Sequence, residues 1–245
     1  MATGLIIGSG EVSLPGGFER SGGLDTPYGP ASDGFFKGQV QDHGLVVCYR
    51  HGEPRRLAPH AINYRANLWL LRKLGAQRLI AVYAVGGIDP ALRPGDLAAP
   101  HQVIDYTWGR EHTFDATGAT HVDFTRPYDD GLNRALATAA QQAGVDLALG
   151  GVFGATQGPR LESAAEIDRL DRDGCTLVGM TGMPEAGLAR ELGLPVAGLC
   201  IVVNAAAGRG DDPGQIDMAG FERAAERGFA AVMRLLEALL VDRAD

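Results

Sequence analysis

The sequence lacks several features that mark whole classes of protein. Only three of its 245 residues are cysteines, and an odd number spread widely along the chain argues against a disulfide framework. No apolar run approaches the roughly 18 residues of a transmembrane helix. No charged segment followed by an apolar one opens the sequence, so no signal peptide is indicated. These absences predict a cytoplasmic protein in which Cys48, Cys175 and Cys200 are buried free thiols.

The sequence also lacks an excess of basic residues. Its 22 lysines and arginines are outnumbered by 30 acidic residues, which gives a net charge of −8. A large nucleic-acid footprint needs a basic face, so we expect neither a nucleic acid nor a membrane as partner. An anionic substrate would need a local basic pocket. No His, Cys and Asp cluster has metal-ligand spacing, and no metal is expected.

What the sequence does contain is a repeated alternation of short apolar runs, glycine-containing turns and helical patterns. The continuous Val, Ile, Leu and Ala character of the runs is typical of strands buried on both faces. The alternation predicts one α/β domain over residues 1–245, with a mixed or mostly parallel sheet flanked by helices. The predicted strands are Thr3–Ile7, Gly44–Tyr49, Leu79–Ala84, Leu97–Ile104, Gly150–Thr156, Leu177–Met180 and Ala197–Val203, and the predicted helices are Asn63–Leu74, Met183–Leu192 and Phe221–Val241.

One long segment between these elements is polar and rich in histidine and aromatic residues. It runs from Thr107 to Tyr128. Loops of this length inside a compact domain are usually functional or lie at an interface. We therefore expect an irregular segment here that contributes to a binding site or to a subunit contact.

Two predicted strands end in residues suited to an anion. The first leads into Gly8, Ser9 and Gly10, where backbone N–H groups and a hydroxyl can bind an anion. A tight turn is the alternative, and a dinucleotide site is disfavoured because no third glycine and helix start follow. The second leads into Arg50 and His51, and a guanidinium suits phosphate. Their alternative is a surface arginine beside a hydrogen-bonded histidine.

Two further strand ends are consistent with the same ligand. Thr181 precedes a predicted helix, and a helix N-terminus with a hydroxyl is suited to an anion, although an ordinary N-cap explains a threonine there equally well. Ala84 lies in YAVGGI, where small residues allow either a ligand or close packing against the backbone. Ligands in α/β sheets collect at the carboxyl ends of strands. A phosphate site assembled from several strand ends is therefore expected.

A carboxylate and an amide suggest what else is bound. Glu162 is the only acid in TQGPRLES, and Asn204 follows an apolar run in LCIVVNAAAG. A buried carboxylate can accept from the ring N1–H of a 6-oxopurine, while a buried amide can bind O6 and N7 together. Adenine presents the opposite pattern at N1. Taken alone, Glu162 also fits a solvated acid at a helix start, and Met180 and Met218 taken alone fit a core.

In order and spacing, these motifs resemble the trimeric purine nucleoside phosphorylase and methylthioadenosine phosphorylase family over nearly the whole chain. The matching blocks are IIGSG, DTPYG, YRHG, PHAINYRANLWLL, YAVGGI, RPGD, GPRLES and VGMTGMPEAGLARELGLP. The resemblance implies the nucleoside-phosphorylase fold, an α/β fold with a central mixed sheet flanked by helices. It also implies phosphorolysis, in which inorganic phosphate attacks C1′ of a purine nucleoside without a cofactor. A homotrimer is implied, with a hexamer as the alternative.

The resemblance also implies roles for individual residues. The phosphate would be bound by Ser9, Arg50, His51, Thr181 and the backbone at Ala84. The nucleoside would contact Leu161, Glu162, Val178, Gly179, Met180, Asn204 and Ala206. The catalytic groups would be Asn204, Glu162, Thr181 and His51. Leu161 stands where the family usually has a phenylalanine, which keeps an apolar contact with the purine but removes aromatic stacking.

The base pocket and the 5′ pocket resemble different relatives. Adenine-specific relatives carry aspartates where this chain has Asn204 and Ala206, and Glu162 stands where 6-oxopurine phosphorylases have their N1-binding glutamate. Inosine-type relatives place a histidine in the loop after the asparagine, but residues 205–219 contain none. Met218 aligns with the apolar 5′ pocket of methylthio-nucleoside enzymes. His121 resembles a histidine that a neighbouring subunit contributes.

These implications lead to one expected substrate and three alternatives. We expect phosphorolysis of S-methyl-5′-thioinosine to hypoxanthine and S-methyl-5-thioribose 1-phosphate. The alternatives are a general inosine and guanosine phosphorylase, a methylthioadenosine phosphorylase, and a non-catalytic purine-binding protein. The last is disfavoured by Arg50, His51 and Thr181, because a pure nucleoside binder needs no phosphate pocket.

Overall fold

The computed structural model describes residues 2–8, 17–21, 25–40, 42–54 and 56–241. In that part of the chain, six strands precede the first α-helix, and groups of one to three strands then alternate with helices. The strands are β1 (Ala2–Ile7), β2 (Glu19–Arg20), β3 (Asp25–Thr26), β4 (Gly29–Pro30), β5 (Phe35–Val40), β6 (His43–Tyr49), β7 (Ala76–Gly87), β8 (Leu97–Ala99), β9 (Gln102–Asp105), β10 (Leu147–Leu149), β11 (Val152–Ala155), β12 (Leu177–Gly179) and β13 (Val196–Ala205). The α-helices are α1 (Tyr64–Lys73), α2 (Asp130–Ala143), α3 (Ala164–Arg172), α4 (Gly182–Glu191) and α5 (Met218–Val241), and a short 3-10 helix covers Pro59–Ala61.

A mixed eleven-stranded sheet organises the molecule. Its main path runs β10-β8-β13-β7-β1-β6-β5-β2, and a branch of β12, β11 and β9 leaves it at β7. The central pairs of β1 with β6 and of β7 with β1 and β13 are parallel, whereas β12 pairs antiparallel with β7. Apolar side chains pack on both faces of the central strands. The predicted fold class, a mixed α/β sheet flanked by helices, is confirmed.

The branch point brings several strand ends together. The last residues of β7, Gly86 and Gly87, pair with β13 on one side and with β12 on the other. A Cβ on Gly86 would lie 3.1 Å from Cγ1 of Val178, closer than nearly all real contacts, so a glycine lets the three strands meet here. The ends of β7, β12 and β13 consequently face one common space.

The helices begin and end where their capping residues lie. Asp129 caps α2 by accepting from the backbone N–H of Leu132, and Gly144 ends that helix in the left-handed conformation. Ser163 and Glu166 form a reciprocal capping box at the start of α3. These two helices were not among the sequence-based predictions, although both carry recognisable caps.

Two predicted elements differ from the structure at a proline. The strand expected over Leu97–Ile104 is divided into β8 and β9 around Pro100, which has no N–H to donate to a ladder. The helix expected from Met183 does not begin regularly there, because Met183 has extended φ and ψ values of −121° and 142°. A residue before proline is pushed out of the α region, and Pro184 follows it.

Other predictions are confirmed by the structure. Residues 106–129, all of which are described, form neither helix nor strand. Cys48, Cys175 and Cys200 are buried free thiols. Among the described helices, none is both long and apolar enough to cross a membrane.

Candidate active site

One cavity of about 550 Å³ lies at the strand ends around the branch of the sheet. It collects most of the residues that the sequence singled out. Its lining includes Gly8, Arg50, His51, Ala84, Leu161, Glu162, Val178, Gly179, Met180, Thr181, Asn204, Ala206 and Met218. Residues more than 150 positions apart in sequence therefore line the same cavity.

Ser9 and His121 are the other two predicted site residues. Ser9 lies outside the described residues, so its proposed contact with phosphate stays a prediction. His121 is exposed on the irregular segment 106–129 and is not among the residues that line the cavity. Its expected role is to enter the cavity of a neighbouring subunit, and that role also stays a prediction.

The end of the cavity that is expected to bind phosphate, the phosphate end, is built around a buried ion pair. Nε and Nη2 of Arg50 donate to the two carboxylate oxygens of Glu185 at 2.8 and 3.2 Å, and Nη1 donates to the Val82 carbonyl at 2.8 Å. The arginine and glutamate side chains are only 1% and 2% exposed. The hydroxyl of Tyr83 donates to Glu185 as well, at 3.0 Å. The alternative of a surface arginine is therefore excluded.

Arg50 is held as a cation at this position. Burial lowers the pKa of its guanidinium, but the Glu185 carboxylate and neighbouring tyrosine hydroxyls outweigh that effect, so the pKa lies above its usual value. Gly8 passes directly over the guanidinium, and a Cβ there would collide with Nη1 of Arg50. Burial raises the pKa of Glu185, while Arg50 and Tyr83 oppose the rise. The result is a protonated guanidinium that its counter-charge Glu185 fixes in the lining of the cavity.

His51 and Thr181 complete this end of the cavity. Nδ1 of His51 lies 2.7 Å from the Leu57 carbonyl; because a carbonyl only accepts, Nδ1 carries the proton. Thr181 precedes α4 but makes no side-chain capping hydrogen bond. Thr181 is buried, at 7% exposure, and lines the cavity. Because its side chain caps no backbone N–H, the alternative of an ordinary N-cap is excluded. Both side chains present polar groups where an anion would lie.

The end of the cavity that is expected to bind the base, the base end, contains Glu162 and Asn204. Glu162 is half-buried between β11 and α3, and its Oε1 accepts from the Thr156 hydroxyl at 2.5 Å. It is thus neither fully solvated nor as buried as a 6-oxopurine contact was expected to be. Asn204 is buried at the end of β13, where the strand register shifts, and its Nδ2 donates to the Ala205 carbonyl at 2.6 Å. That bond uses one of the two N–H groups of the amide.

The segment carrying Glu162 is held by the start of α3. Arg160 donates to both oxygens of Glu166 at 2.8 Å, and Glu166 also accepts from the backbone N–H of Ser163 at 2.7 Å. Because these bonds fix the residues on both sides, the position of Glu162 follows from the capping box of the helix.

The remaining wall of the cavity is apolar and open. Met218, the first residue of α5, is 59% exposed, and Leu161 is 43% exposed. A core position for Met218 is therefore wrong, and it lies instead at the rim beside Ile216 and Phe221. Sequence reasoning did not include these two neighbours. Together the three side chains form an apolar rim on the side of the cavity nearest α5.

Arg110 is a further buried cation that sequence reasoning missed. It lies on the irregular segment and donates to the backbone carbonyls of Met180, Met183 and Gln157 at 2.8, 2.6 and 2.8 Å. It therefore ties the strand end that carries Met180 to the loop that leads to Glu162. No local sequence pattern predicts this role, because these partners are backbone carbonyls that lie far from Arg110 in the sequence.

Glu185 was also given no role from sequence, although its block was part of the resemblance. One signal was present: it is an acid in an otherwise apolar stretch, and a buried arginine needs such a counter-charge.

Comparison with known proteins gives consistent results. Residues 3–238 match the Phosphorylase superfamily. A probable S-methyl-5′-thioinosine phosphorylase of Pseudomonas syringae is 46% identical over 240 residues, which cover 96% of this chain and 97% of the relative. A 6-oxopurine nucleoside phosphorylase of Pyrococcus furiosus is 41% identical over 212 residues, covering 83% and 79%. The structure of methylthioadenosine phosphorylase from Schistosoma mansoni in complex with adenine matches with a TM-score of 0.88 at 28% identity, covering 98% of this chain and 91% of that one.

Proposed function

Since the chain belongs to the phosphorylase superfamily, we propose that it catalyses phosphorolysis of S-methyl-5′-thioinosine. The observation that carries this proposal is the presence, in one cavity, of Glu162 and Asn204 at one end and Arg50 and Thr181 at the other. In the proposed reaction a phosphate oxygen bonds to C1′ while the C1′–N9 bond breaks. The products are hypoxanthine and S-methyl-5-thioribose 1-phosphate.

The base end supports hypoxanthine over adenine. Glu162 can accept from the N1–H of hypoxanthine, and Asn204 can donate from Nδ2 to O6 while Oδ1 accepts from a protonated N7. Adenine would instead present a lone pair at N1 to the carboxylate. A partly desolvated charge without a partner costs about 1–3 kcal/mol or more. The name of the Pseudomonas relative points to the same base.

The phosphate end supports phosphorolysis over simple binding. The cation of Arg50, the hydroxyl of Thr181 and the imidazole of His51 line the same part of the cavity. Holding phosphate beneath the ribosyl carbon contributes through positioning, which is worth at most about 7–11 kcal/mol of a barrier. Asn204 stabilises the charge that develops on the leaving base, and one such preorganised donor is typically worth about 10²–10³ in rate.

The apolar rim supports a methylthio group at the 5′ position. Ile216, Met218 and Phe221 offer a thioether and two hydrocarbon side chains, which suit a CH₃–S group better than a hydroxyl because they leave a hydroxyl without a hydrogen-bond partner. No histidine lies in residues 205–219 to bind a 5′-hydroxyl.

A general 6-oxopurine nucleoside phosphorylase is the second candidate. It is favoured by the name of the Pyrococcus relative and by the same two base-binding side chains. The two candidate functions differ only in the group that the 5′ pocket binds. A methylthioadenosine phosphorylase shares the apolar rim but conflicts with Glu162 and Asn204.

The proposal also covers the co-substrate, the cofactor requirement, the compartment and the oligomeric state. We propose that inorganic phosphate is the co-substrate, that neither metal nor cofactor takes part, and that the protein works in the cytoplasm as a homotrimer, with a hexamer as the alternative. The trimer would give His121 a place at a neighbouring 5′ pocket.

Cleavage assays with and without phosphate test the proposal. Purified protein is incubated with S-methyl-5′-thioinosine, inosine or S-methyl-5′-thioadenosine, and the released base is quantified by chromatography. We expect hypoxanthine to be released only with phosphate, and faster from S-methyl-5′-thioinosine than from inosine. Equal cleavage of inosine would favour the second candidate. Turnover of none of the three nucleosides would leave a purine-binding protein.

A further inference from the structure

The carboxylate of Glu162 has a partner that does not line the cavity. Thr156 follows β11, and its hydroxyl donates to Oε1 of Glu162 at 2.5 Å. An ionised carboxylate only accepts, so the threonine must be the donor. The separation falls in the range of charge-assisted hydroxyl–carboxylate bonds, about 2.5–2.7 Å, which are roughly twice as strong as neutral ones.

Thr156 is itself fixed at both of its backbone polar groups. Its N–H donates to the Gly179 carbonyl at 2.8 Å, and its carbonyl accepts from Nη2 of Arg110 at 3.3 Å. The same hydroxyl lies 3.3 Å from the Gly179 carbonyl. Because the carboxylate oxygen is much nearer than this carbonyl, the single hydroxyl proton goes to Glu162. Since the backbone of Thr156 is held by two neighbouring segments, this bond restricts the rotation of the Glu162 carboxylate.

This bond makes the two oxygens of Glu162 unequal. Oε1 already accepts from Thr156, which occupies one of its two lone pairs. Oε2 is therefore the freer oxygen for a ligand. Hypoxanthine presents a single donor on the facing edge, its N1–H, and one oxygen serves it. Guanine presents two adjacent donors, N1–H and the 2-amino group, and a matched contact needs both carboxylate oxygens.

We propose that Thr156 is a positioning residue that directs the site toward hypoxanthine and against guanine. It acts through Glu162 and touches no substrate. This inference rests on the proposed function, because it takes Glu162 as the acceptor for N1–H. It adds which of the two 6-oxopurines the site prefers.

The test removes the hydroxyl and keeps the shape of the side chain. For the wild type and Thr156→Val, kcat/KM is measured with S-methyl-5′-thioinosine and S-methyl-5′-thioguanosine. We expect the preference of the wild type for the hypoxanthine nucleoside to shrink about tenfold in the variant, the size of one hydrogen bond to a charged group. Thr156→Ser keeps the hydroxyl and should restore the wild-type ratio.

Thr113→Val is the matched control. Thr113 also donates its hydroxyl to a carboxylate, Oε1 of Glu191 at 3.0 Å, but neither residue lines the cavity. Its removal should leave the ratio of the two nucleosides unchanged. If Thr156→Val does not fold, Thr156→Ala serves the same comparison.

The outcomes separate this inference from the proposed function. An unchanged ratio in an active Thr156→Val enzyme, with both nucleosides slowed equally, would show a merely structural role and overturn the inference alone. A wild-type protein that cleaves neither nucleoside would overturn the proposed function and, with it, the inference. Binding of free hypoxanthine and guanine, measured by calorimetry with phosphate present, provides a second reading of the same ratio.

Discussion

The two ends of the cavity are built in different ways. At the phosphate end, Arg50, Glu185, His51 and Thr181 are all less than 9% exposed and are attached directly to β6 and α4. At the base and 5′ end, Asn204 is likewise buried on a strand, β13, but Glu162 comes from the connection before α3 and Met218 from the first residue of α5, where Met218 is 59% exposed. One end belongs to the core of the sheet, and the other is completed by its loops.

This difference separates two kinds of requirement. A buried ion pair in the core cannot be altered without disturbing the fold, so it suits the part of the reaction that every substrate shares. Loop residues on a fixed scaffold can change with little cost to stability. We therefore expect changes at the phosphate end to affect all nucleosides alike, and changes at the base end to alter the ranking of substrates.

The largest effect is expected from Glu185→Gln. This variant removes the charge that compensates Arg50 in a buried site, and breaking such a pair typically costs about 3–5 kcal/mol of unfolding free energy. Activity should fall in parallel for S-methyl-5′-thioinosine and inosine, because the phosphate site is common to both. Denaturant unfolding and kcat/KM for the two nucleosides are the measurements.

Glu111→Gln is the control for the Glu185 variant. Glu111 pairs with Arg65 at 3.0 Å but is 73% exposed, so its loss should barely change the stability. A change in the ranking of nucleosides in Glu185→Gln would break the proposed separation between the two ends.

A smaller effect, confined to the base end, is expected from Asn204→Asp. A carboxylate cannot donate to O6, so kcat/KM for S-methyl-5′-thioinosine should fall by about 10²–10³, while the relative rate with S-methyl-5′-thioadenosine rises. The KM for phosphate should stay close to that of the wild type. Unchanged release of hypoxanthine would show that Asn204 does not contact the base.

The smallest effect is expected from Met218→His at the exposed rim. A histidine can hydrogen-bond a 5′-hydroxyl, so the ratio of kcat/KM for inosine to that for S-methyl-5′-thioinosine should rise by about tenfold, the low end of the range for a small change in an apolar pocket. Met218→Leu keeps the rim apolar and should leave the ratio as it is. An unaltered ratio in the histidine variant would remove Met218 from the 5′ pocket.

The sequence was most informative where a polar side chain directly follows a predicted strand. Arg50 and Asn204 follow apolar runs, and parallel strands bring such ends to one edge of a sheet. Their placement in one cavity could therefore be predicted from the order of the residues alone. The resemblance to the family added a place for Met218 in the 5′ pocket and favoured base binding by Glu162 over a solvated acid at a helix start.

The sequence was least informative about partners that are distant along the chain. Glu185 lies 135 residues from Arg50, and Thr156 acts only through the carboxylate of Glu162. Glu185 is marked only as an acid in an otherwise apolar stretch, and Thr156 is not marked by its neighbours at all. The division of the strand predicted over Leu97–Ile104 is different, because its cause is local. Pro100 stands within the predicted strand, and its missing N–H predicts a break there.

A competition assay on the unaltered protein tests the central claim, that Glu162 and Asn204 select a 6-oxopurine, most directly. Equal concentrations of S-methyl-5′-thioinosine and S-methyl-5′-thioadenosine are mixed with phosphate and enzyme, and the ratio of released hypoxanthine to adenine gives the ratio of their kcat/KM values. We predict an excess of hypoxanthine of about 10⁴-fold, as for sites that reject a mismatched hydrogen-bonding pattern. Release of adenine at a comparable rate would contradict the account.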